Sequence, residues 1–415
     1  MGRNKKYSGY KAYQYLSPGI DYRPFKLRKA IKEEWAYTVP LSTPEEEQAE
    51  EILEKHIVID LHEHPTIMPE DALESIDLWR EGREFMAYEA LSHSGLDAVF
   101  DNLMNGEAYI TSKHGWKWSD TIHDLGQRLC DIAHQDFVIH CKKVEDITKA
   151  HKTGRLAWVA VFESVSCIEN EVDRIDVLYG LGIRSMGLIY SESNMLGSGQ
   201  KELRDGGLTD FGYDAVVRMN KIGMLIDVSH SSYQTVLDAI EASKEPIIIS
   251  HSGARALTPT NRMFPDEVLQ ALAEKEGIIG IEAAPGITAT KKHPVHSIDS
   301  YMEHIEYCIE LMGIDNVGCG PDAMYGDHVG FYRLEAERLK TDGMGHYTRT
   351  EREKESLFLD INMDPKTLPV YVKGMENPTE CLQNVTRWMV KQGYSDQEIA
   401  KVIGGNALRL LKQVW

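Results

Sequence analysis

Two histidines near the start of the chain, His62 and His64, have the spacing of a metal-binding pair on a β-strand. They directly follow residues 57–61, IVIDL, an apolar run typical of a buried strand. Because side chains alternate along a strand, residues two apart project toward the same side, and both imidazoles could bind one metal ion. The alternative is that they are ordinary exposed residues, since so short a motif has many chance matches.

Four more residues with metal-binding or acid–base side chains each end a different apolar segment: Glu163, His230, His251 and Asp322. Taken singly, each could be an ordinary polar residue at a strand end. In a parallel barrel, however, the carboxyl ends of the strands meet at one face, where such enzymes place their catalytic groups. The six residues together therefore predict one shared site.

The donor atoms of these six residues suit a particular chemistry. Four imidazoles and two carboxylates match a borderline metal such as zinc, and they exceed the ligands of one tetrahedral site. We therefore predict two metal ions, with Glu163 as the ligand that bridges them. Asp322 would accept a proton from the water that the metals activate and pass it to the leaving group.

Short apolar segments alternate with longer helical patterns along most of the chain, which predicts an α/β fold, a (β/α)8 TIM barrel. The metal-binding residues at its strand ends indicate a barrel of the metal-dependent hydrolase type. The predicted strands are residues 56–61, 95–100 (the weakest pattern), 156–162, 184–190, 224–229, 246–250, 278–282 and 316–320. Helical patterns at 210–222, 234–242 and 266–275 separate the middle strands and are long enough for right-handed crossovers.

The pattern also predicts how the chain is divided. Residues 1–45, rich in Tyr, Lys and Pro, form an N-terminal arm or cap, and a helix starts with Thr43 as its cap and Pro44 in its first turn. Residues 46–415 form a single barrel domain with long insertions at about 65–94 and 324–372. Both insertions follow strands, so they would cover the active-site face; surface decoration or a subunit contact is the alternative.

Composition excludes several classes of partner. Sixty-five acidic and forty-five basic residues give a formal net charge of -20, which disfavours nucleic acid and anionic membrane surfaces. The amino terminus lacks the apolar segment of a signal peptide, and no apolar run approaches the length of a membrane span. The six cysteines form no CxxC pair, which indicates reduced thiols and predicts a cytoplasmic protein.

Several segments resemble one known family. They are residues 58–62 (VIDLH), 161–163 (VFE), 207–212 (GLTDFG), 225–230 (LIDVSH), 249–252 (ISHS), 261–267 (NRMFPDE), 318–322 (GCGPD), 393–399 (GYSDQEI) and 404–406 (GGN). On these motifs the chain resembles the membrane (renal) dipeptidase family of dinuclear zinc peptidases, in the amidohydrolase superfamily. The resemblance covers roughly residues 50–415 and is weakest at 65–155 and 324–370.

The resemblance implies a role for each matching residue. His62 and the residue two later would bind one zinc ion, His230 and His251 would bind the other, and Glu163 would bridge them. Asp322 would be the general acid and base. Arg262, eleven residues after His251, would hold the terminal carboxylate of the substrate, a task that suits the two-pronged guanidinium.

Three positions depart from the family pattern. His64 stands where the family usually has Asp, which makes the first metal site one charge more positive. Tyr190 stands where the mammalian enzymes place a substrate-contacting His; its phenol could donate to a developing oxyanion, or the residue could serve packing alone. The usual DFDG after the last strand reads DAMYG here, at residues 322–326.

The sequence therefore supports three hypotheses. The first is a zinc-dependent, dipeptidase-like hydrolase that cleaves the amide bond of a dipeptide or a related small amide with a free carboxylate. The second keeps the metal site but acts on a lactam, a cyclic amide or another non-peptide metabolite, which the altered motif at His64 and the long loops favour. The third is a non-catalytic metal-binding scaffold. The resemblance further implies a homodimer or a higher homo-oligomer.

Overall fold

The computed structural model describes residues 6–31, 36–80, 83–103, 117–330 and 370–415. Within these residues one sheet of ten strands runs through the molecule. The strands are β1 (Ile59–Ile67), β2 (Ala98–Asn102), β3 (Val138–His140), β4 (Leu156–Phe162), β5 (Ile183–Gly187), β6 (Leu225–Asp227), β7 (Ile248–Ser252), β8 (Ile278–Ile281), β9 (Val317–Cys319) and β10 (Met324–Tyr325). Residues 331–369, most of the predicted second insertion, lie outside the described residues.

Parallel pairing in chain order curls this sheet into a barrel. The order is β10-β1-β2-β4-β5-β6-β7-β8-β9, and β3 pairs with β4 outside that path. The segment from β9 to β10 pairs with β8 on one side and with β1 on the other. The backbone N–H of Asp322 donates to the carbonyl oxygen of His62 at 2.9 Å, and that of His64 donates to Ala323 at 3.1 Å. This closure brings the first and last strands of the barrel together.

The described α-helices precede, connect and follow the strands. They are α1 (Thr43–Lys55), α2 (Ser75–Arg80), α3 (Tyr88–Leu91), α4 (Trp118–Ala133), α5 (Val144–Thr153), α6 (Arg174–Leu181), α7 (Asp210–Ile222), α8 (Tyr233–Ala242), α9 (Asp266–Glu274), α10 (Ile298–Met312), α11 (Pro378–Lys391), α12 (Asp396–Ala400) and α13 (Asn406–Val414). The strands are buried along nearly their whole length, which explains why they read as continuous apolar runs rather than as alternating ones.

Two glycines allow the strands to approach each other closely beneath the strand ends. A Cβ atom at Gly280 or at Gly320 would collide with the carbonyl oxygen of Ser250. Any larger residue at either position would therefore push β7, which carries Ser250 and its neighbour His251, away from the adjacent backbone. The positions of the catalytic-face side chains depend on these two contacts.

The predicted (β/α)8 barrel is confirmed, with corrections to individual elements. All eight predicted strands are present, including the weak one, now at β2. The short β3 was not predicted, because three residues carry too little periodicity to be recognised. β1 continues to Ile67, so His62 and His64 lie within the strand rather than after it. Ser42, and not Thr43, caps α1, because the Ser42 hydroxyl and backbone N–H pair with Glu45.

Within the described residues, no helix is both long enough and apolar enough to span a bilayer. All six cysteines are free thiols, and five of them are buried, with Cys130 exposed. Free thiols agree with the prediction that the cysteines form no disulfide framework.

The N-terminal segment packs against α4 through one buried carboxylate. Oδ1 of Asp131 accepts hydrogen bonds from the Tyr10 hydroxyl and from the Tyr13 backbone N–H, both at 2.7 Å. Its other oxygen accepts from the Tyr88 hydroxyl at 2.8 Å. Asp131 is fully buried, so no water molecule can replace its carboxylate as the acceptor for these three donors. The role of residues 1–45 as an arm or cap stays a prediction.

Replacing Asp131 with Ala should destabilise the protein. The change removes the carboxylate that accepts from three buried donors, and we expect the free energy of unfolding in urea to fall by about 3 kcal/mol. Asp136→Ala removes an exposed carboxylate from the loop after α4 and serves as the control, with an expected change within about 0.5 kcal/mol. Equal stabilities for the two variants would contradict the anchoring role of Asp131.

Candidate metal centre

One carboxylate oxygen lies at the centre of the predicted site. Glu163 follows β4, and its Oε1 lies 2.8 Å from Nε2 of His230 and 3.1 Å from Nε2 of His251. Nε2 of His62 lies 3.9 Å from the same oxygen. The Nε2 atoms of His230 and His251 are 2.9 Å apart. Imidazoles from β1, from β7 and from the loop after β6 therefore converge on Glu163.

A second group adjoins the first through His62. Oδ1 of Asp322 lies 3.6 Å from Nε2 of His62 and 3.2 Å from Nε2 of His64. Two sets, His62–Glu163–His251 and His62–His64–Asp322, each place their potential ligand atoms within 4.8 Å of one another, and all members are buried. The structure thus brings the six predicted residues together, with His64 against Asp322 rather than against Glu163.

A serine beneath the site fixes how the imidazoles are turned. The Ser250 hydroxyl donates its single proton to the carboxylate of Asp227. The same hydroxyl lies 2.8 Å from Nδ1 of His251 and 3.3 Å from Nδ1 of His62, so it accepts protons from both rings. With Nδ1 protonated, each ring turns the lone pair of Nε2 toward Glu163, as a metal ligand requires.

The electrostatics of the site call for added positive charge. Burial lowers the pKa of His62 to about 3 and the pKa values of His230 and His251 well below the usual range, so these rings are neutral. Burial, followed by the negative charge of Asp322, raises the pKa of Glu163. Nε2 of His62 is buried and has no hydrogen-bond partner among the described residues. Lone pairs and a desolvated carboxylate that face each other in this way fit a divalent cation.

His64 and Asp322 form a pair of their own. Burial alone would lower the pKa of His64, but the hydrogen bond to Asp322 and its negative charge raise that pKa to about 9. Burial also opposes ionisation of Asp322, yet the hydrogen bond from His64 and the neighbouring imidazoles lower the pKa of this carboxyl. His64 would have to release its proton in order to bind a metal ion.

The backbone at this site is held in an uncommon conformation. His230 (φ 62°), Asp322 (φ 57°) and Ser191 (φ 56°) all adopt the left-handed region, which residues other than glycine rarely occupy. The Ser191 hydroxyl lies 3.1 Å from Nδ1 of His230 and orients that ring. Strained residues of this kind cluster at functional sites, where the surrounding structure compensates for their cost.

Asn102 is a site residue that the sequence analysis missed. It is the last residue of β2, and its Nδ2 donates to Oε2 of Glu163 at 2.5 Å. The backbone N–H of Glu163 donates back to Oδ1 of Asn102 at 3.0 Å. This double contact leaves Oε1 of Glu163 directed at the imidazoles. The position of Asn102 just after the weakest predicted strand, residues 95–100, was the sequence feature that could have identified it.

Arg262, the predicted carboxylate anchor, lies in a buried ion pair. Its Nη2 is 2.7 Å from Oε2 of Glu282, and the two side chains are 5% and 2% exposed. The same nitrogen donates to the carbonyl oxygen of His251 at 2.9 Å. Glu282 directly follows β8, as Glu163 follows β4, so its place at a strand end could have identified it. Burial, which Arg262 offsets only in part, raises the pKa of Glu282 to about 8.

Tyr190 lies at the edge of the centre. Its ring centroid is 4.6 Å from that of His230, and the residue is half-buried. It follows β5 by three residues rather than ending the strand, because β5 stops at Gly187. Its side chain therefore adjoins the imidazole that lies closest to Glu163.

A barrel with a cluster of His, Glu and Asp at one face is an arrangement found in metal-dependent hydrolases, and the comparison with known families makes the likeness specific. The sequence model described as membrane dipeptidase (Peptidase family M19) matches residues 46–331 and 358–415. The chain belongs to this family. The resemblance inferred from the motifs is thereby confirmed.

Individual relatives agree with this assignment. The chain is 28% identical over 293 residues to dipeptidase tcpJ of Claviceps purpurea (strain 20.1), covering 70% of this chain and 58% of that protein. It is 27% identical over 305 residues to dipeptidase aclJ of Aspergillus oryzae, covering 71% of this chain and 62% of that protein. The chain thus spans somewhat less than two thirds of the length of these curated relatives.

Solved structures share the fold. The crystal structure of an amidohydrolase from Pseudomonas aeruginosa superposes with a TM-score of 0.68 at 26% identity, covering 88% of this chain and 99% of that one. A metallo peptidase from Rhodobacter sphaeroides, liganded with a phosphinate mimic of the dipeptide L-Ala-D-Ala, gives a TM-score of 0.62 at 18% identity, covering 87% and 100%. The second likeness concerns the fold alone.

Replacing Asn102 with Ala should weaken metal binding. Without the Nδ2 donor, the carboxylate of Glu163 can rotate away from the imidazoles, and we expect zinc affinity to fall about 10- to 100-fold in competition with a chromophoric chelator. Asn220→Ala, at the far end of α7, truncates the same side chain away from the site and is the control. Equal zinc affinities for both variants would show that Asn102 does not orient Glu163.

Proposed function

We propose that the protein is a metal-dependent hydrolase of the dipeptidase type, which cleaves the C–N amide bond of a dipeptide or a related small amide. The observation that carries this proposal is the convergence of three buried Nε2 atoms on Oε1 of Glu163, with Asp322 beside them. Membership of the membrane dipeptidase family and the names of the relatives support it.

Two zinc ions are the metals that we propose for the centre. Glu163 would contribute to both sites, His230 and His251 to one, and His62 with His64 to the other. The orientation of the rings by Ser250 supports this assignment, since it leaves Nε2 as the ligand atom. When bound, divalent metals supply Lewis-acid polarisation of the amide carbonyl and make a nearby water more acidic.

In the proposed reaction, Asp322 would take a proton from the attacking water and deliver it to the leaving group. Its Oδ1 faces the two imidazoles of β1 and is buried, so a proton taken up at this oxygen is not lost to bulk water. From there it would pass to the leaving nitrogen, which must be protonated as the C–N bond breaks. The hydrogen bond from the backbone N–H of Asp322 to the carbonyl oxygen of His62 holds this residue in place for both transfers.

Tyr190 and Arg262 would contact the substrate. The phenol of Tyr190, beside His230, would donate to the carbonyl oxygen as negative charge develops there. Arg262 lies against the backbone of His251 and would offer an N–H donor to a second group of the substrate. Both contacts would hold the scissile bond at a fixed distance from Asp322.

A second candidate keeps this chemistry but changes the substrate to a lactam, a cyclic amide or another non-peptide metabolite. The observation that favours it is the buried pair between Arg262 and Glu282, which occupies the expected anchor for a peptide carboxylate. A non-catalytic scaffold is less consistent with the site, because the ligand set and Asp322 are assembled together.

We also propose a cytoplasmic location and a homo-oligomeric state. Free cysteines, five of them buried, support the first, because disulfides are rare in reducing compartments. The second rests on the resemblance to the family. Light scattering of the purified protein would determine the number of subunits directly.

Removing the metals should abolish activity and lower stability together. Ligands bound only to the folded state stabilise it, by about 2.7 kcal/mol at a free concentration one hundred times the dissociation constant. We therefore expect chelator-treated protein to lose dipeptide hydrolysis and to unfold at a lower temperature, and zinc to restore both. Full activity in protein shown to be metal-free by elemental analysis would contradict the proposal.

Replacing Asp322 with Asn should slow hydrolysis with the metals still bound. Loss of the group that moves the proton is expected to lower kcat about 10²- to 10⁴-fold. Asp315→Asn, an exposed residue just before β9, is the matched control and should leave kcat unchanged. An Asp322→Asn protein with normal kcat and normal zinc content would rule out this role.

A further inference from the structure

Glu282 occupies the part of Arg262 that a substrate carboxylate would need. A carboxylate binds a guanidinium through two parallel N–H donors, and both two-donor faces of arginine include Nη2. Nη2 carries two hydrogens. In this structure Nη2 lies 2.7 Å from Oε2 of Glu282 and donates to the carbonyl oxygen of His251 at 2.9 Å. A substrate carboxylate at either face would have to share Nη2 with Oε2 of Glu282 and with this carbonyl oxygen.

The position of Glu282 is fixed by its own backbone. Its N–H donates to the carbonyl oxygen of Ser252 at 2.9 Å, and its carbonyl oxygen accepts from the Thr288 hydroxyl at 2.9 Å. The side chain is 2% exposed, so water cannot take its place against Arg262. Glu282 is therefore a built-in partner of the guanidinium and not a surface residue that a ligand could easily displace.

The remaining donor of Arg262 suits an uncharged group. Nη1 is buried and has no hydrogen-bond partner within the part of the chain that the structure describes. A substrate carboxylate placed there would have one donor and would lie near the carboxyl groups of Glu282 and Asp322. The carbonyl oxygen of an amide needs only one donor and brings no negative charge.

We propose that Glu282 is a specificity-determining residue that prevents Arg262 from binding a substrate carboxylate. The substrate class is accordingly a small amide whose end at Arg262 is uncharged, such as a carboxamide-terminated dipeptide or a cyclic amide, with a carbonyl oxygen bound by Nη1. This inference rests on the proposed hydrolase function and narrows it. It also reverses the expectation of a free substrate carboxylate.

Two phosphinate analogues of Ala-Ala test this, one that ends in a carboxylate and one that ends in a carboxamide. Calorimetric titration of the zinc-loaded protein should show that the carboxamide binds about tenfold or more tightly than the carboxylate. In Glu282→Ala, Nη2 becomes available and the carboxylate should instead be preferred, about 10- to 100-fold. Glu274→Ala, at the exposed end of α9, is the control and should keep the original preference.

Three results of these titrations would contradict the proposed role of Glu282. A preference of the original protein for the carboxylate overturns the inference, even where Glu282→Ala fails to fold, because that measurement needs no variant. Unchanged selectivity in a folded Glu282→Ala protein also overturns it. Either result leaves the proposed function intact as long as the protein hydrolyses dipeptides. If neither analogue binds and no amide is hydrolysed, the proposed function fails together with the inference.

Discussion

Desolvation of the Glu163 carboxylate is the constraint on which the rest of the site depends. A buried carboxylate is stable only with hydrogen bonds and positive charge around it. Asn102 satisfies one oxygen, and the other faces the imidazoles. The rings are themselves oriented by the Ser250 hydroxyl, which gives its proton to Asp227. The remaining need for positive charge is what favours a divalent cation at this arrangement.

Closure of the barrel converts separate strand ends into one site. The hydrogen bonds between the last strands and β1 place Asp322 beside His62 and His64, more than 250 residues away in sequence. Close packing at Gly280 and Gly320 holds the strand of His251 at the distance that this closure requires. A catalytic face of this kind tolerates loop variation, because the strands alone fix its central residues.

In the proposed site, the pair of Arg262 and Glu282 bears on the choice of substrate rather than on metal binding. The predicted metal-binding residues lie in segments that resemble the family, apart from His64, and the barrel brings them to one face. Glu282, by contrast, contacts the guanidinium of Arg262 at 2.7 Å. Membership of the family supports the proposed type of chemistry, whereas we propose that individual neighbours of Arg262 determine which end groups a substrate can have.

The sequence by itself determined the order of the strands, because parallel strands buried on both faces leave apolar runs that end in polar residues. It thereby located His62, His64, Glu163, His230, His251 and Asp322 at the same face. Only the tertiary structure paired His64 with Asp322, assigned Asn102 to Glu163, and set Glu282 against Arg262. These partners lie on different strands and loops, and the free energy of each pair depends on side-chain direction and loss of water. Neither quantity is encoded in local spacing along the chain.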